Sequence, residues 1–125
     1  MTSVIIPDVE SRYIKMKKIK IAFDVDGTLI GDKGKVNKNI RTLLVILSSF
    51  KNVKIIVWSG SGELYARQVA QEIGIKQYVD QYASKNHLGK ENGKHIFNPD
   101  ITPDIAIDDI QDCILGKINL IVKEK

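Results

Sequence analysis

A single cysteine, three prolines and no long apolar run are what this 125-residue sequence has least of, and each scarcity excludes something. Cys113 has no second cysteine to pair with, so no intramolecular disulfide forms, which suits a reducing, cytoplasmic compartment. A lone cysteine reads first as a small buried hydrophobe, and no redox role follows from it. Near the amino terminus the short run Val4-Ile5-Ile6 is interrupted at once by Pro7, Asp8 and Glu10. Residues 1–18 therefore read as neither a signal peptide nor a membrane span, but as a poorly ordered extension ahead of one domain over 19–125. The two histidines, His87 and His95, stand at no zinc-ligand spacing and read as exposed loop residues. Hydrophobic content of 43% and charged content of 27% are ordinary for a globular chain and exclude disorder as the dominant state. The net charge of +4 mildly favours phosphorylated or polyanionic partners, without requiring nucleic acid.

What is present is organised around Ile19-Lys20-Ile21-Ala22-Phe23-Asp24-Val25-Asp26-Gly27-Thr28, a β-favouring apolar run that ends in two carboxylates, a glycine and a hydroxyl. Open α/β sheets bind ligands at the carboxyl ends of their strands, so both aspartates are candidate site residues. An EF-hand loop also begins Asp-x-Asp, but it needs glycine at position six and a helix before it. Here Leu29 holds position six and a strand precedes.

Beyond a short flap, Leu29–Lys35, a helix is predicted from Asn37 or Asn39, carrying Ile40, Leu43, Leu44, Leu47 and Phe50 at helical spacing. Val53–Trp58 is a second buried strand, followed by Ser59-Gly60-Ser61-Gly62. Small residues between a strand and a helix can cradle phosphate, and Ser61 can cap the helix. That helix turns Leu64, Val69, Ala70 and Ile73 toward the core and stops at Gly74. Tyr78–Tyr82 reads as a third strand and Gly89–Thr102 as loop. Asp104–Asp109 then repeats the opening pattern, with Asp112 one helical turn on, a short helix ending at Gly116, and a last strand over Ile118–Val122. Carboxylates packed this closely repel one another unless a cation joins them.

Asp24-Val25-Asp26-Gly27-Thr28 resembles the first motif of the haloacid dehalogenase superfamily of phosphohydrolases, and three later stretches resemble the remaining motifs in order. The resemblance implies Ser59 as a phosphate ligand with Gly60 beside it, and a lysine after the third strand. Lys85 fits that place best, with Lys90 and Lys94 as rivals. It also implies Asp108 as a direct metal ligand with Asp109 or Asp112 in support. The implied fold is a three-layer α/β/α sandwich on a mainly parallel five-stranded sheet of order 3-2-1-4-5, with no cap domain.

In that order the ends of strands one, two and four converge. An all-oxygen set from Asp24, the Val25 carbonyl, Asp26, Asp108 and Asp109 suits Mg²⁺. Asp24 is then placed as the nucleophile that forms an aspartyl phosphate, and Asp26 as the acid and later the base. The expected activity is phosphomonoester hydrolysis, on a small phosphorylated metabolite such as a sugar phosphate or on the terminal phosphate of a nucleic acid or phosphoprotein. A capless site also fits completion by a homo-oligomer. The rival classes are a receiver-like or other non-enzymatic Mg²⁺ and phosphate-binding domain, and a scaffold of the same fold without activity.

Overall fold

The structure, a computed structural model, describes residues 18–110 and 114–123. The expected amino-terminal extension, apart from Lys18, lies outside the described residues, as do Asp112 and Cys113.

Five parallel strands form the sheet: β1 (Ile19–Asp24), β2 (Val53–Ser59), β3 (Gln81–Ser84), β6 (Ile105–Asp108) and β7 (Ile118–Ile121), in the order β3-β2-β1-β6-β7. This is the expected α/β sheet, its order unchanged once the intervening hairpin, β4 (His87–Glu91) with β5 (Lys94–Phe97), is left out of the count. Helix α1 (Lys38–Ser48) connects β1 to β2, and α2 (Glu63–Glu72) connects β2 to β3.

Both connections step the same way across the sheet, so right-handed crossovers place both helices on one face. Leu44 from α1 and Ala66, Val69 and Ala70 from α2 accordingly share a buried cluster with Ile21, Phe23, Ile55, Val57 and Ile107. The opposite face presents Ala22, Ile56, Trp58, Ala83 and Ala106. Among the described residues no helix covers that face; Phe97, Ile101 and Leu115 pack on it instead. No helix of the described residues is long and apolar enough to cross a membrane.

Local chemistry explains the elements. Asn37 caps α1, its side chain accepting from the Ile40 amide at 3.3 Å. Gly74 follows α2 at φ +76, the left-handed turn that ends a helix most cheaply with glycine. Several expectations are corrected. Gly62, not Ser61, stands at the start of α2, and no side chain caps it. Leu64 is 78% exposed, because the inward face runs through Tyr65, Ala66, Val69, Ala70 and Ile73 at helical spacing. The third strand begins later than expected, after a 3₁₀ turn at Lys76–Tyr78. Of the short helix expected to end at Gly116, residues 111–113 lie outside the described residues, and Ile114 and Leu115 are not helical.

The largest difference lies in 89–102, expected as loop. Most of its first half is the antiparallel hairpin β4–β5, closed by Asn92 at φ +53 and Gly93 at φ +77. Two consecutive left-handed residues make the tight turn that two-residue hairpins favour.

Candidate active site

The chain passes from β1 to β2 on one side and arrives at β6 on the other, so a topological switch point falls between β1 and β6. Ligand crevices of open α/β sheets form at such points. Asp24 ends β1, Ser59 ends β2, Lys85 follows β3, and Asp108 ends β6.

These groups meet. Lys85 Nζ donates to Asp24 Oδ1 at 2.6 Å and to Asp108 Oδ2 at 2.9 Å, with all three side chains no more than 5% exposed. Asp24, Asp108 and Asp109 each turn a carboxylate oxygen to within 4.8 Å of the others. Burial pushes the Asp24 carboxyl well above its usual range; Lys85 pulls it back, and Asp108 and Asp109 add to the rise. Burial alone would lower the Lys85 ammonium, but the two carboxylates outweigh it and raise it instead. Burial and a hydrogen bond with Asp108 also raise Asp109.

The loop after β1 is wound tightly around its own backbone. Thr28 Oγ1 donates to Asp24 Oδ2 at 3.4 Å, and the Leu29 amide to the Asp24 carbonyl at 3.2 Å. Gly27 adopts φ +83, and a Cβ there would stand 2.1 Å from Asp109 Oδ2, so glycine lets the β6 carboxylate lie directly over this turn. The Val25 carbonyl, expected among the metal ligands, accepts from both the Thr28 and Ile30 amides, which engages its lone pairs within the loop.

Ser59 Oγ accepts from the Ser61 amide at 3.0 Å, leaving its own O–H to donate elsewhere. Asp24, Asp26, Ser59, Gly60, Ser61, Lys85 and Asp109 line one cleft of about 330 Å³. Asp108 lies just behind it, bonded to Lys85. Lys90 and Lys94, the rivals of Lys85, are exposed on the hairpin and do not line this cleft.

The hairpin supplies the opposite wall through His87, His95 and Phe97. His87 Nε2 and His95 Nδ1 are 2.9 Å apart, and the Phe97 ring centre lies 5.0 Å from Lys85 Nζ. Its base is pinned beside Lys85: Asn86, at φ +50, donates to Asp100 Oδ1 and the Asn98 carbonyl, and Asp100 Oδ2 accepts from the Ser84 amide. His87 and His95 are thus drawn to the site, where the sequence reading left them as loop residues. The signal that finds them is the dipeptide Asn92-Gly93, which marks a two-residue hairpin turn.

One family model matches the chain, that of the haloacid dehalogenase-like hydrolases, over residues 21–124. The match runs from β1 through β7 and takes in every residue of the cleft. The chain belongs to the haloacid dehalogenase-like hydrolases. No curated protein and no solved structure matches it. Family membership sets aside the receiver-like alternative and gives the acidic cleft a hydrolytic context. Within that context a hard divalent cation suits the donor set, since Asp24, Asp108 and Asp109 offer only carboxylate oxygens.

Proposed function

We propose that this hydrolase cleaves phosphomonoesters, with Asp24 as nucleophile and Asp26 as acid and base. The observation that carries the reading is the ammonium of Lys85 held between buried Asp24 and Asp108, in a cleft shared with Asp26 and the Ser59 hydroxyl. A buried carboxylate against a buried ammonium suits attack on an anionic group, because the ammonium offsets charge on both partners.

Asp24, Asp108 and Asp109 are the residues that would hold Mg²⁺, which when bound supplies the positive charge that lets an anionic ester approach carboxylates. The chain's own groups carry the rest. A carboxylate oxygen of Asp24 attacks phosphorus, the ester P–O bond breaks, and the departing oxygen takes a proton from Asp26. Lys85 and Ser59 offset the charge on the phosphoryl oxygens. Asp26, now ionised, takes a proton from the water that attacks the aspartyl phosphate, releasing inorganic phosphate and restoring Asp24.

The substrate we favour is a small phosphorylated metabolite, a sugar phosphate being the expected type, seated between the acidic loops and the His87–His95–Phe97 wall. Exposed lysines at 33 and 35 on the flap and 90 and 94 on the hairpin support a second reading, a terminal phosphate on a polyanion such as a nucleic acid. Salt separates the two, since apparent affinity for a polyanion falls steeply with ionic strength and that for a small ester does not. The test of the function is hydrolysis of p-nitrophenyl phosphate with and without Mg²⁺. Release of p-nitrophenolate that needs Mg²⁺ and vanishes in Asp24→Asn supports it; an inactive wild type identifies a scaffold without activity.

A further inference from the structure

Tyr65, on the first turn of α2, donates from its hydroxyl to Asp26 Oδ1 at 2.8 Å, across 39 residues of sequence. Its ring packs against the main core, which fixes the direction from which the hydroxyl arrives. Asp26 lies on the ridge between two clefts. The first is the one it shares with Asp24 and Lys85; the second runs under the flap and is lined by Gly27, Ile30, Gly31, Lys33, Tyr65 and Asp109 among others. Tyr65 lines only the second. It therefore reaches Asp26 from the flap-side cleft, which Lys85 does not line. Asp26 is an exposed side chain on a turn, and among the described residues this bond is the one that fixes its direction.

We propose that Tyr65 is a positioning residue for Asp26: its hydroxyl occupies Oδ1, so that the proton given to the leaving oxygen is carried on Oδ2 and faces the first cleft. The proposal rests on the phosphomonoesterase reading above and adds a residue to it. Three things support it together. The bond is short, Tyr65 is anchored by packing, and the two groups come from elements that meet only through the fold. A tyrosine hydroxyl ordinarily titrates near about 10, so it remains a donor at neutral pH. Unlike a carboxylate or histidine in that place, it cannot compete for the proton that Asp26 transfers.

A misplaced acid matters only where the leaving group needs a proton. p-Nitrophenolate leaves as a stable anion, whereas an alkoxide does not. The experiment compares kcat/KM for p-nitrophenyl phosphate and for glycerol phosphate in the wild type and in Tyr65→Phe, under saturating Mg²⁺. This constant ends at the phosphoryl transfer that expels the leaving group, and the ratio between two esters on one preparation cancels any loss of folded enzyme. We expect Tyr65→Phe to lose about tenfold or more on glycerol phosphate with little change on p-nitrophenyl phosphate. In an Asp26→Asn background, adding Tyr65→Phe should leave the ratio where it was. Equal loss on both esters, no loss, or a gain on glycerol phosphate would overturn the proposal; the gain would mean that Tyr65 holds Asp26 back. A wild type inactive on both esters would overturn the phosphomonoesterase reading, and the proposal with it.

Discussion

Lys85 Nζ stands 2.6 Å from Asp24 Oδ1, joining residues 61 positions apart in a contact nearly closed to solvent. The same ammonium reaches Asp108, so it is the counter-ion that two buried carboxylates share. Removing one partner of such a group leaves uncompensated buried charge, which costs about 3–5 kcal/mol. Lys85→Met is therefore expected to lower the denaturation midpoint by an equivalent amount at neutral pH. The loss should ease as pH falls, because the carboxyl of Asp24 is already raised and takes a proton readily. Urea titrations across the acid range check both the size and the sign.

Metal addition acts on the same acids in the opposite sense. An ion that binds the folded cleft and not the unfolded chain stabilises by mass action, about 2.7 kcal/mol at a hundred times its Kd. Melting curves should climb with Mg²⁺ in the wild type and respond weakly in Asp108→Asn. A wild-type melting temperature indifferent to Mg²⁺ would count against Asp24, Asp108 and Asp109 as its ligands.

Gly27 is held in the left-handed region with Asp109 lying over it. Gly27→Ala adds backbone strain of about 1–3 kcal/mol and pushes the Asp109 carboxylate out of place. Reduced stability together with a smaller Mg²⁺-induced rise in melting temperature is the expected pair of results, read by calorimetry with and without the ion.

The tyrosine bonded to Asp26 should announce itself in alkali. Its hydroxyl is raised from 10 to about 12, so the bond contributes in full below pH 10 and is lost as pH rises through about 12. An ultraviolet titration should show a late tyrosinate step of smaller amplitude in Tyr65→Phe than in the wild type, the remainder coming from Tyr82, which burial also raises.

How much of this was legible in the sequence follows the kind of signal each part leaves. Strands that end in paired acids, as at Asp24 and Asp108, announce both the sheet and its ligand edge, and the sheet order followed from recognising the motifs. Lys85 could be ranked above Lys90 and Lys94 only by its place after a strand, because a lysine carries no local mark of the buried carboxylates awaiting it. Nothing local in the sequence shows that the Val25 carbonyl accepts from the Thr28 and Ile30 amides, since its direction depends on how the loop folds back. The hairpin was missed despite a usable cue, Asn92-Gly93, since its strands are short and polar and lack the apolar alternation that marks a buried edge. Tyr65 was missed for a different reason. Its spacing to Val69 places it on the inward face of α2, but nothing local says that its hydroxyl reaches past the core to an aspartate 39 residues away.

The proposed mechanism turns on Asp24 forming a covalent bond to phosphorus, and trapping that species tests it most directly. Asp26→Asn should form it from p-nitrophenyl phosphate, whose leaving group needs no acid, and then hydrolyse it slowly for want of a base. Acid-quenched protein, digested and weighed by mass spectrometry, is predicted to carry one phosphoryl group on the peptide containing Asp24, labile to hydroxylamine. Phosphoryl transfer to another residue, or wild-type turnover in Asp24→Asn, would contradict it.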